Sequence, residues 1–141
     1  MDEAEAVLKA NKLFYRALGT RDLDLMGRVW IQDDRAKCVH PGWTSLNGWE
    51  AIRQSWENVF DPRDQVDIEI SNVSLRVAGR TAWLTCIQKM TYVCRDPVMV
   101  NISVSTNIFE RHGERWLMVL HHASPLPIMG AEESPSETEL Q

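Results

Sequence analysis

Four histidines, three cysteines and a few amide and phenol side chains are the groups in this sequence that could do chemistry near neutral pH. His40 stands directly before a Pro41-Gly42 turn, with Trp43 beyond it. An imidazole with an ordinary pKa near 6.5 can move a proton at neutrality, and an aromatic beside it can wall an apolar pocket. The structural alternative is a histidine that hydrogen-bonds the turn. His121 and His122 are adjacent in a strand-like segment, so their side chains point to opposite faces and cannot share one metal. No HExxH or CxxC spacing exists either, so neither a metal nor a cofactor is expected. One of the pair should face a pocket and the other an interface.

Asn101, Ser103, Ser105 and Asn107 form a polar row on one face of a strand, which is either a wet pocket wall or a polar dimer seam. Tyr92 could place a phenol at the pocket mouth or pack in the core. Trp49 and Trp56, seven residues apart on an apolar helical stripe, read most simply as core, with Trp56 also placed to border a ligand. Cys38 and Cys86 have no basic neighbour in sequence to lower their pKa and read as small buried apolar residues. No Ser-His-Asp order, nucleophile elbow or phosphate-cradling glycine loop can be found.

These residues must be held by a chain of 141 residues with 44% hydrophobic and 25% charged residues, the profile of one globular domain. The net charge of −5 resides in the termini: residues 1–5 and 131–141 hold seven carboxylates and no Lys or Arg, leaving +2 for residues 6–130. No basic cluster is present to hold a nucleic acid or an anionic membrane, and no apolar run approaches the roughly 20 residues of a spanning helix. An odd cysteine count without a pairing pattern, and no signal-peptide pattern at the N-terminus, fit a reducing cytoplasm. The domain is expected over 1–128, followed by a flexible acidic tail at 129–141 in which Ser134-Pro135 could be modified.

The pattern of elements begins with an amphipathic helix over 4–18, with Asp2 and Glu5 as a capping pair. Asp22 can cap a short second helix carrying Leu23, Met26 and Trp30, and Asn47 a third carrying Trp49, Ile52, Trp56, Val59 and Phe60. Arg35 to Val39 reads as a short strand. After Asp61-Pro62 the period becomes two, and the apolar phase slips by one residue at Ser71-Asn72, which predicts a β-bulge. Turns at Ala78-Gly79, Arg95-Asp96-Pro97 and His112-Gly113-Glu114 separate further long strands over 81–94, 98–111 and 116–123. Helices followed by antiparallel strands give an α+β layout. Because the 81–94 strand is apolar on both faces, with Trp83, Ile87 and Val93 on the second, a homodimer through the outer sheet face is expected.

The helix, the Arg21-Asp22-Leu23-Asp24 turn, "CVHPGW" at 38–43, "LNGWEAIRQSWENVF" at 46–60 and four long strands ending "WLMVLHHASP" resemble the nuclear transport factor 2-like superfamily, and within it the SnoaL-like (polyketide cyclase-like) proteins. The resemblance covers about residues 4–126. It implies a cone-shaped, cystatin-like fold of three N-terminal helices on a curved, mainly antiparallel sheet that encloses a pocket, usually in a homodimer. Members include ketosteroid isomerases, dehydratases, polyketide cyclases and the association domain of calcium/calmodulin-dependent kinase. By position, His40 falls where the isomerases carry a general-base aspartate, and Asn107 lies near their second hydrogen-bond donor. Phe14, rather than Tyr15, falls where they place a phenol, which removes half of their oxyanion hole. His122 holds the matching place in the final strand of the kinase association domain. The Asp-Arg-Asp arrangement of the superfamily's epoxide hydrolases is not traceable. Two functions follow as expectations. One is an enzyme of isomerase, cyclase or dehydratase type acting on an apolar or aromatic small molecule, with His40 as base, Asn107 or Tyr92 as donor, and Trp43, Trp56, Tyr92 and His122 around the ligand. The other is a non-catalytic association module with no cavity of about 300 Å³ or more.

Overall fold

Two carboxylate caps set the first helices. In α1 (Glu3–Thr20) the Asp2 side chain accepts the Glu5 N–H at 2.7 Å, and in α2 (Leu23–Val29) Asp22 accepts the Leu25 N–H at 3.0 Å. Each satisfies a donor that the first helical turn leaves without a partner, contributing about 1 kcal/mol. The computed structural model describes residues 2–127, so the acidic tail at 129–141 lies outside the described residues. Trp30, expected on the face of α2, instead follows it in extended conformation and bridges to Met118.

The third helix corrects an expectation. α3 (Trp49–Val59) is capped by Gly48 at φ 88°, with no side-chain hydrogen bond, while Asn47 belongs to a two-residue strand, β2 (Leu46–Asn47). The Asn47 carbonyl oxygen is occupied across the β-ladder, where it accepts from Lys37 Nζ at 2.8 Å. A positive φ also favours glycine at the turn into the helix.

The remaining strands are β1 (Lys37–Val39), β3 (Val66–Ala78), β4 (Thr81–Tyr92), β5 (Met99–His112) and β6 (Arg115–Pro125), in sheet order β2-β1-β6-β5-β4-β3. Only β1 and β6 run parallel. The phase slip in β3 is a register shift between Ser71 and Ser74, with Asn72 at φ 55°. Asparagine tolerates that left-handed conformation, and the bulge keeps Ile68 and Ile70 on the same face as Leu75 and Val77. A second shift, between Ile108 and Phe109, offsets β5 against β6.

The helices cover one face of this curved sheet. Phe14 sits at the centre of the resulting core, with its ring 5.9 Å from Trp56, 6.3 Å from Trp30 and 4.6 Å from the His121 ring. Among the described residues no helix covers the opposite face. Trp83 (43% exposed) and Val104 (38%) lie there with half-buried Ile87, Ile108 and Leu120, following the pairings Trp83 with Ile108, Ile87 with Val104 and Ile108 with Leu120. Among the described residues no helix is long and apolar enough to cross a membrane.

Candidate functional site

A cavity of about 210 Å³ opens between the helix layer and the sheet. Its buried wall carries His40, Trp56, Gln88, Met90, Ser103 and His121, and its more exposed margin includes Arg21, Trp43 and Val59. That volume is below the roughly 300 Å³ of typical ligand sites, the side expected of an association module, but above the ~150 Å³ that suffices for benzene, so it suits about one ring. A larger groove of about 490 Å³ lies elsewhere, between α1, α2 and the β5–β6 turn, and none of the candidate residues line it.

His40 reaches the cavity because β1 ends at Val39 and the turn follows, with the Trp43 N–H donating to the His40 carbonyl at 2.9 Å. Its Nε2 is 2.8 Å from Ser55 Oγ, and Ser55 Oγ donates its own proton to the Ile52 carbonyl at 2.6 Å. Nε2 must therefore be the protonated nitrogen, leaving a lone pair on Nδ1. Burial pushes the His40 pKa down to about 4, and its hydrogen-bond partner, Ser55, is a neutral group that cannot restore it. The ring is neutral at pH 7.

His121 is held by a deeper network. Asn107 Nδ2 donates to Asn11 Oδ1 at 2.9 Å and to the Tyr15 hydroxyl at 3.1 Å, which fixes the direction of its amide. The Asn107 Oδ1 so oriented lies 2.6 Å from His121 Nδ1 and accepts its proton, so the His121 lone pair is on Nε2. The Tyr15 hydroxyl also hydrogen-bonds Cys86 Sγ, 3.4 Å away. Burial lowers the His121 pKa to about 3, aided by the neighbouring charges of His40 and His122, and raises the Tyr15 phenol and the Cys38 thiol. The cavity thus presents two neutral imidazoles of opposite tautomer. Each has one nitrogen pinned and the other without a hydrogen-bond partner among the described residues.

Of the residues singled out from the sequence, the structure brings His40, Trp43, Trp56 and Tyr92 to the cavity wall. It does not bring His122. His122 pairs with Thr106 on the outer face and is exposed, because strand alternation turns it away from the wall that His121 joins. Asn107 is fully buried behind the wall with its amide protons committed to Asn11 and Tyr15, so it orients His121 instead of meeting a ligand. The polar row of β5 is an inner wall: Asn101 and Ser103 line the cavity, and Ser105 donates to Gln88 Oε1 at 2.7 Å. A phenol does join the network, supplied by Tyr15, while Phe14 packs against the His121 ring. Ser55, Gln88 and Arg21 escaped the sequence reading. Only the one-face placement of Ser55 with Ile52 and Trp56 on α3 signalled the first.

A helix layer on a curved sheet around such a cavity is the nuclear transport factor 2-like, cystatin-like architecture seen in solved structures. The SnoaL-like domain model matches residues 7–129, and the chain belongs to that family. F-box protein SKIP8 of Arabidopsis thaliana is 31% identical over 123 residues, which are 87% of this chain and 51% of that protein. The chain therefore spans about half the length of this curated relative. A candidate dehydratase of the nuclear transport factor 2-like family from Streptomyces avermitilis is 27% identical, with a TM-score of 0.80 over 87% of this chain and 95% of that one. A protein from Thiobacillus denitrificans, named as a candidate calcium/calmodulin-dependent protein kinase type II association domain, is 30% identical, with a TM-score of 0.75 over 84% and 93% of the two chains.

Proposed function

We propose that this SnoaL-like chain binds a small, largely apolar molecule of about one ring that donates a hydrogen bond to His40 or His121. The observation that carries this reading is the pair of buried neutral imidazoles with bare nitrogens on the wall of a 210 Å³ cavity. Around them, Trp56, Phe60 and Met90 supply apolar area, the combination ligand sites use. Proton transfer of the isomerase, cyclase or dehydratase kind would use His40 as the acceptor. With a pKa near 4 it is a weak base, so the reacting group must be an acidic O–H or an activated C–H. The three free thiols fit a cytoplasmic setting.

Phenol is a suitable probe, read by tryptophan fluorescence because Trp56 lines the wall. Binding to the unaltered chain should weaken at least tenfold in at least one of His40→Phe and His121→Phe, which keep a ring and remove the nitrogens. Equal binding by all three folded proteins would overturn the reading.

A second reading has its own observation. The exposed Trp83 and Val104 on the outer sheet face fit a homodimer through that face, and neighbours of this fold include kinase association domains. Trp83→Lys should shift sedimentation from dimer to monomer without changing phenol binding. A monomer before the substitution would refute it.

A further inference from the structure

Arg21 adds a charge to the margin of this cavity. It follows α1 at φ 54° and ψ 45°, the left-handed position at which helices usually place glycine. A non-glycine residue there is strained, and strain of this kind collects at functional positions. Its backbone N–H bonds to the Ala17 and Leu18 carbonyls would be made equally well by glycine. What glycine would lack is the side chain and its guanidinium; Arg21 is a lining residue of the cavity, as is Asp64.

That guanidinium has donors to spare. Its one hydrogen bond is from Nη1 to the Gly19 carbonyl at 3.0 Å, and among the described residues it forms no salt bridge. Asp64 is the nearby carboxylate on the cavity wall, and both its oxygens are taken by Arg95, through Nε at 3.1 Å and Nη2 at 2.9 Å. Arg95 also lies over the Tyr92 ring, 4.3 Å from its centroid. Arg21, Arg95 and Asp64 therefore leave one net positive charge at the margin, while the inner wall offers only neutral groups: His40, His121, Gln88 and Ser103.

We infer that the ligand is a single-ring phenol or enol carrying a carboxylate, with its hydroxyl toward the imidazoles and its carboxylate on Arg21. This rests on the reading of the cavity as a ligand site. The planar guanidinium suits a carboxylate because its N–H groups form a fixed fork that matches the two oxygens. A hydroxyl donor at one end and an anion at the other also fixes which way round the ring sits.

Calorimetric titration of the full chain with 4-hydroxybenzoate, its methyl ester, and phenol tests this. The acid should bind at least tenfold more tightly than the ester. Arg21→Gln should remove most of that advantage and leave phenol affinity within twofold, while Arg21→Lys keeps part of it. Arg21→Gly should lose the advantage too while melting no lower than the unaltered chain, which separates ligand binding from fold. Equal affinity for acid and ester, with phenol still bound, would overturn the carboxylate assignment alone. Failure of all three compounds to bind would overturn the ligand-site reading beneath it.

Discussion

The two faces of β4, β5 and β6 treat neighbouring residues in opposite ways. On the inner face, Asn107, His121, Gln88 and Ser105 are buried and hydrogen-bonded to one another or to α1. On the outer face, His122 is exposed, and so are the large apolar side chains of Trp83 and Val104. Buried polar groups thus share the inner face with the core, while exposed apolar ones lie on the outer face. The first arrangement costs desolvation, which the hydrogen bonds among these groups offset. The second leaves apolar area that association would remove from water. One strand register separates a candidate chemical site from a candidate interface.

The largest break in this comparison should come from Asn107→Leu. It strips partners from Asn11, Tyr15 and His121 together, so about 3–5 kcal/mol of stability should be lost in urea melts. Its outer-face counterpart, His122→Ala, should cost less than about 0.5 kcal/mol. A similar cost for both would mean the network is not satisfied as described.

Acid titration comes next. Because His40 and His121 have folded pKa values of about 4 and about 3, below the unfolded 6.5, the unfolded chain binds more protons as pH falls below 6.5. These two groups should therefore leave stability unchanged between pH 6.5 and pH 8 and lower it by roughly 6 kcal/mol toward pH 4. His122→Ala should leave that decline in place, whereas His121→Phe should remove about half of it and leave the His40 part. A smaller effect belongs to the helix caps: Asp22→Ala should cost about 1 kcal/mol and leave both faces of the sheet unchanged.

The architecture was legible because its signals are local. The Asp2 and Asp22 caps act three residues ahead, and the bulge at Ser71-Asn72 showed as a slipped two-residue period. The Asn47 cap misled because its side chain had a better partner across a strand too short to announce itself. His40 and Trp43 could be placed at the cavity from their turn alone. The network behind His121 could not, since Asn107 meets Asn11 and Tyr15 across 96 and 92 positions. Nor could Arg21, whose φ becomes visible only when the helix end is built.

Long-range proton–nitrogen spectra of histidine-labelled protein, recorded with and without phenol, test the central claim most directly. The account predicts two rings that stay neutral from pH 8 down to pH 5.5, His40 protonated on Nε2 and His121 on Nδ1. Phenol should then shift at least one of the bare nitrogens, His40 Nδ1 or His121 Nε2. Either ring titrating near 6.5, or both rings in one tautomer and unmoved by phenol, would contradict it.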